Sequence, residues 1–266
     1  MFTARYSAID PAARQLVRQR EAASTLLDCE RSFQRAKSNA VADVLKAQGT
    51  FAAWRHYPTG DVYDPETHAQ YYYHSHGSDA DDAGQATEAP AEHGHFHLFL
   101  RPAGMPRGVR PADVDTAIGT VDEADGASHL IAIAMDPRGR PVRLFTTNRW
   151  VTGETWYSAA DVSRMVPYFA VRHSYPSWPA NQWLTALVRV FEPEILVLLA
   201  ARDRQVQTLA GTAALDTVLD DEDVDVLSEL RVDLSVHLAS VEARWAAAGM
   251  TSGPSNLGSS AVHRTR

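Results

Sequence analysis

Residues 93–101 read HGHFHLFLR, with polar and apolar side chains alternating at a period of two. A β-strand sends successive side chains to opposite faces, so a strand here sets His93, His95 and His97 in one row and Phe96 and Leu98 on the other face. The same period runs through residues 68–76, HAQYYYHSH, where Tyr72, His74 and His76 project away from Tyr71 and Tyr73. Two further runs, SHLIAIAMD and VRLFTTNRW, flank PRGRP, in which Pro137 and Gly139 set a short hairpin connection. Paired side by side, these runs make an antiparallel sheet of about four to five strands.

Outside these runs the period changes to that of helices. Asp10 followed by Pro11 suits a helix start, and Leu16, Leu26, Leu27, Phe33, Val41 and Leu45 supply an apolar series that stops at Gly49, fitting one long helix or two short ones. SAADVSRMVPYF opens a second helical region at Ser158, and the long apolar stretch after Trp178 is interrupted by Pro193. A last helix is expected to start at Asp220 or Asp221 and to carry Leu227, Leu230, Leu234, Leu238, Val241 and Trp245. The fold class is therefore α+β: a central antiparallel sheet flanked by N-terminal and C-terminal helices. One domain is expected over residues 1–250, with helices in 11–48, the sheet in 50–157 and helices in 158–248. Residues 77–92 lack bulky apolar side chains and read as a mobile acidic loop, PADVDTAI as a short helical turn, and 251–266 as a disordered tail.

The composition, 45% hydrophobic and 22% charged, is that of a globular protein large enough for a sizeable core. A formal net charge of −8 disfavours a broad grip on nucleic acid phosphates or an anionic membrane surface, so neither is expected as a partner. The single cysteine, Cys29, excludes an internal disulfide, a cysteine-rich zinc module and a Cys-ligated iron–sulfur cluster, and its setting is that of a helical packing position. The opening segment lacks the apolar run of a signal peptide, which points to a cytoplasmic location. No phosphate-binding loop, nucleophile elbow or HExxH helix is present.

Seven of the 11 histidines fall between His56 and His97. Uniform placement would put about 1.7 there, so the clustering asks for a local cause. If the strands bearing His74 and His76 and those bearing His93, His95 and His97 pair, two imidazole rows lie side by side, at spacings from which they can converge on one ion. Neutral imidazole suits zinc, iron, copper or manganese, with Glu92, Asp61, Asp64 or Glu154 as candidates for an added carboxylate. A second constellation lies in FTTNRWVTGETW, where a continuing strand would set Thr146, Asn148 and Trp150 on one face. There Arg149 is suited to clamp a small anionic substrate, Asn148 to orient it, and Glu154 to move a proton, with Tyr72 as a further polar group. The structural alternative is an Arg149–Glu154 ion pair pinning the turn, with Trp150 and Trp156 in the core. His129 and His237 read as structural, and Asp64 as turn chemistry in RHYPTGDVYDPETH, a loop leading to the first strand.

The combination of HYPTGDVYDPETHAQYYYHSH, EHGHFHLFLRP, SHLIAIAMD and LFTTNRWVTGETW resembles an uncharacterised bacterial family, a domain of unknown function, over about residues 50–190. The resemblance implies a bacterial protein and brings no activity with it. Three functions stand on the side chains: a metal-dependent enzyme, a metal-free binding protein for a small molecule or partner, and a metal-handling protein.

Overall fold

The computed structural model describes residues 10–76, 92–112 and 126–250. The expected acidic loop (except Glu92), most of PADVDTAI and the expected tail lie outside these residues. Six strands form one antiparallel sheet in sequence order: β1 (Tyr57–Tyr63), β2 (Ala69–His74), β3 (Gly94–Leu100), β4 (Ser128–Met135), β5 (Pro141–Thr147) and β6 (Val226–Arg231). Helices α1 (Pro11–Ala36) and α2 (Ala40–Leu45) precede the sheet. Between β5 and β6 run α3 (Arg149–Thr152), α4 (Ala159–Met165), α5 (Trp178–Val190), α6 (Glu192–Ala210) and α7 (Leu215–Leu219), and α8 (Leu234–Ala247) follows β6. The α+β class is as expected, with six strands where the sequence pattern suggests four to five.

Two segments account for the difference. RHYPTGDVYDPETH is no mere approach loop: its middle is β1, hidden from the period-two pattern by a bulge between Tyr57 and Val62 where Gly60 and Asp61 have positive φ. Leu227 and Leu230 belong to β6, and the last helix starts only after Asp233, whose carboxylate accepts the Ser235 and Val236 amides. The apolar spacing across 227–238 matched a helix because a strand and a helix joined by a short connection can mimic one period.

One face of the sheet is the core. Tyr71, Tyr73, Phe96, Leu98, Ile131, Ile133 and Leu144 form one buried cluster with Leu26 and Phe33 of α1 and Trp183, Leu184 and Leu187 of α5. The pattern of α1 suits this packing: Ala22, Leu26, Cys29 and Phe33 recur at three- and four-residue intervals and are buried, and Lys37 in the left-handed conformation ends the helix by giving its amide to α1 carbonyls. Ser158 caps α4 and Ser177 caps α5 through their side chains, and Pro193 sits in the first turn of α6 just past the break at Phe191. Two polar ties fix helices to the core: Tyr71 Oη donates to Asn181 Oδ1 at 2.6 Å, and Gln19 Nε2 donates to the Val190 carbonyl at 2.7 Å.

The opposite face carries Tyr72, His74, His95, His97, Ala132, Ala134 and Phe145. Its register explains how so many imidazoles fit. Tyr72 pairs with His97 and His74 with His95 on one side of β3, while on the other side His95 faces Ala134 and His97 faces Ala132. Two alanines in β4 leave the volume that the rings fill.

The backbone at the start of β3 is equally constrained. A Cβ at Gly94 would fall onto the His74 carbonyl oxygen and within 2.7 Å of the Tyr73 hydroxyl. Gly94→Ala is therefore expected to destabilise the chain by about 1–3 kcal/mol through forced separation of β2 and β3. A urea midpoint equal to the parent's would show that the strands yield without cost.

Candidate metal centre

The histidine face is a graded row from solvent to interior. His76 is exposed and stacks on Trp54, His74 and His95 are nearly buried at 8% and 9% exposure, and His97 and His129 are closed off at 0% and 2%. His74 Nε2 and His95 Nε2 lie 2.7 Å apart, and one donor atom from each of His74, His76 and His95 falls within 4.8 Å of the others. Zinc–nitrogen bonds of about 2.0–2.1 Å in a tetrahedral arrangement separate ligand nitrogens by roughly 3.3 Å, so an opening of about half an ångström between two rings would accommodate an ion. These three histidines form a group that could hold a metal ion.

Further in, His97 Nδ1 lies 3.1 Å from His129 Nε2, and His129 Nδ1 lies 3.2 Å from Thr147 Oγ1. His97 Nε2 is buried and has no hydrogen-bond partner among the described residues. On the other flank His56 lies flat on Tyr72 with ring centroids 3.6 Å apart, and its Nδ1 is 3.2 Å from Asp61 Oδ1. Asp61 also accepts from Gln70 Nε2, and Gln70 in turn accepts from Arg101 Nε. His56 and His129 thus join the cluster although the sequence pattern assigns neither to it. Strand alternation groups His129 with Ile131 and Ile133, and only the register shift opposite Leu98 and Phe99 turns it onto the histidine face, so the sequence carries no signal for it.

The row opens onto a cavity of about 260 Å³. His76, His93, His95 and His97 line it together with Glu92, Arg143, Phe145, Thr147 and Asp225. Glu92 and Arg143 are already matched: Nε and Nη2 of the guanidinium reach the two carboxylate oxygens at 2.7 and 2.8 Å.

Several expected site residues are placed differently. His93 precedes the first residue of β3, so strand alternation does not hold it in the row; its Nδ1 is 2.7 Å from Tyr73 Oη and its ring stacks on Phe51. Strand β5 ends at Thr147, so Asn148 and Trp150 do not continue its face. Asn148 caps α3 and donates to the Val218 carbonyl, which leaves nothing to orient a substrate. Arg149 pairs with Asp220 through Nε and Nη2, leaves its buried Nη1 without a hydrogen-bond partner among the described residues, and is not bonded to Glu154. Asp64 accepts the amides of Glu66, Thr67 and Arg172, which is turn chemistry as expected. Trp156 is buried, and Trp150 donates its indole N–H to the Val224 carbonyl.

Burial dominates the protonation of the face. It pushes His74 down to about 4, with His76 and His56 adding repulsion, and His129 down to about 3, with Arg202 adding repulsion. His95 and His97 are held well below the usual imidazole range, first by burial and then by the neighbouring histidines. Burial also raises the Tyr72 phenol, so it stays protonated at neutral pH. Glu154 is buried, accepts the His129 amide at Oε2 at 2.7 Å and leaves Oε1 unpartnered. Its pKa is pushed up to about 8 by burial, partly offset by Arg202, the His129 amide and Arg149. It is therefore mostly protonated near pH 7.

Residues 20–232 match a family described as a domain of unknown function (DUF6969), and the chain belongs to that family. No curated protein and no solved structure matches the chain. Among the described residues no helix is long and apolar enough to cross a membrane.

These protonation states have opposite consequences for stability. Each buried histidine stays neutral in the fold while the unfolded chain takes up protons below about pH 6.5, costing about 2 kcal/mol per ring between pH 6.5 and 5. The melting temperature of metal-free protein is expected to fall by at least about 10 °C over that interval. Glu154 acts the other way: its contribution is full below the unfolded carboxylate value and is lost as pH rises through about 8. Glu154→Gln should therefore gain on the parent by about 4 kcal/mol from pH 5 to pH 9. A parent–variant difference that does not change with pH would show that Glu154 is ionised in the fold throughout.

Proposed function

We propose that this protein binds one divalent transition metal through His74, His76 and His95 and is a metal-dependent enzyme acting on a small anionic molecule in the adjoining cavity. The observation that carries this reading is the convergence of three imidazole donor atoms within 4.8 Å, two of them on the nearly buried rings of His74 and His95, beside a cavity of about 260 Å³ that His76 and His95 line. The depressed pKa values of His74 and His95 favour it, because a ligand must be neutral to offer its lone pair and these two rings remain so well into mildly acidic solution. Three protein ligands leave a coordination position for substrate or water, the arrangement of catalytic rather than structural zinc sites. Zinc, iron, copper and manganese all suit imidazole donors.

The preference for an anion rests on the ion and not on the arginines. Arg149 is taken by Asp220, and Arg143 by Glu92 and Glu229. An ion held by neutral imidazoles alone keeps its positive charge, and that charge is the strongest attraction for an anion in the cavity. Its role would be to polarise the bound molecule or to lower the pKa of bound water. Tyr72, protonated and edge-on to His74 at 5.4 Å, is a hydrogen-bond donor beside the site.

A second reading has its own support. The 2.7 Å contact between His74 and His95 is a satisfied hydrogen bond when one ring donates and the other accepts, so the same face also suits a metal-free pocket for a small polar ligand.

Elemental analysis of untagged, gel-filtered protein separates the two. Near one ion per chain in the parent and less than a tenth of that in a His74→Ala, His95→Ala variant of unchanged circular dichroism is the expected result. Protein that carries no metal and takes up none on titration with zinc, iron, copper or manganese would overturn the metal reading and leave the polar pocket.

A further inference from the structure

The innermost histidines are arranged as a support for the site rather than as packing. His97 is fully buried, yet its Nε2 has no partner among the described residues, while its Nδ1 is engaged 3.1 Å from His129 Nε2. An unpartnered buried ring nitrogen costs the fold about 1–3 kcal/mol, and a purely structural histidine at this position could be an apolar residue without that cost. The ring lies against the proposed ligands, with centroids 4.8 Å from His95 and 5.1 Å from His74, and it lines the same cavity; its nitrogens fall outside the group of donor atoms within 4.8 Å of one another, so as a ligand the ring must move toward them.

The hydrogen-bond chain decides which nitrogen carries the proton. Neutral His97 and His129 own one N–H each. If His129 donates from Nε2 to His97, then His97 must carry its proton on Nε2, where a buried N–H meets nothing. If instead His97 Nδ1–H donates to His129 Nε2, then His129 Nδ1–H donates to Thr147 Oγ1 at 3.2 Å, and His97 Nε2 is a bare lone pair. The second arrangement uses both N–H groups and leaves a lone pair, which a metal ion or a hydrogen-bond donor can meet and which is the form a ligand needs. Metal-bound histidines characteristically give their other N–H to a fixed acceptor, which sets the tautomer and the ring plane.

We infer that His97 is a fourth ligand of the metal through Nε2, and that His129 and Thr147 are positioning residues that hold it in the ligating tautomer. This rests on the three-histidine reading above and extends it to an all-imidazole centre. With four protein ligands, an ion that also takes a substrate must be five- or six-coordinate, which favours iron, manganese, cobalt or copper over tetrahedral zinc as the working metal.

The test uses cobalt(II), whose visible absorption reports coordination, and copper(II), whose pulsed electron paramagnetic resonance distinguishes bound imidazoles. Both are added to the full-length chain with four variants: His97→Ala, His129→Ala, His129→Gln and Thr147→Val. The parent should bind one ion with the signature of four imidazoles. His97→Ala should show three, with a changed cobalt spectrum. His129→Ala should keep four but bind about 10–100-fold more weakly, and His129→Gln, whose amide oxygen can accept the His97 N–H, should recover part of that loss. Thr147→Val changes the core least and should weaken binding in the same direction, so a folding failure of the alanine variants leaves a usable result. Three imidazoles in the parent, with His97→Ala unchanged in affinity and spectrum, would overturn the His97 assignment while the three-histidine site stands. No ion bound by the parent would overturn both.

Discussion

The cross-strand pairing of β2, β3 and β4 is the constraint on which the site depends. β3 lies between β2 and β4, and both of its faces are buried along its whole length. The helical core covers one face. On the other the register sets His74 and Tyr72 against His95 and His97, with Ala134 and Ala132 on the far side, and Trp54, His56 and Val151 add cover from outside the sheet. A slip of one residue in β2 or β4 would send tyrosines or isoleucines into the imidazole row and histidines into the helical core. The hydrophobic packing of Tyr71, Tyr73, Phe96, Leu98, Ile131 and Ile133 therefore fixes the geometry of the polar site by holding the same strands in register from behind.

Much of this was legible in the sequence because a strand's period is short and strict. The four strands β2 to β5, the hairpin turn at Pro137 and Gly139 and the separation of Phe96 and Leu98 from His95 and His97 follow from two-residue alternation and hold, although the runs overreach the strand ends at His76, His93, Asn148 and Trp150. What failed did so where local backbone geometry departs from that period. The bulge at Gly60 and Asp61 concealed β1, the connection before Asp233 concealed β6, and the late start of β3 turned His93 out of its row toward Tyr73.

The second constellation failed for a different reason. Arg149, Asn148 and Glu154 are close in sequence, polar and rich in chemistry, but their partners come from distant parts of the chain. Asp220, Val218 and Arg202 lie far downstream in the helical segment between β5 and β6, and no local pattern announces that they will return to this corner. The same distance explains why His129 read as structural: its partners His97 and Thr147 are strand neighbours only once β4 lies between β3 and β5.

The distribution of charge around the imidazoles narrows what the pocket can be. Glu92 is held by Arg143, Asp61 is held by Gln70 and His56, and Glu154 is kept mostly protonated near neutrality by burial. None of the three is a free carboxylate turned on the cluster. A site built to capture a cation by charge would leave at least one such group unpaired, since ionised oxygen ligands give both attraction and neutralisation. A site built from neutral imidazoles selects instead by softness and geometry, and leaves the charge of its ion to act on whatever enters the cavity.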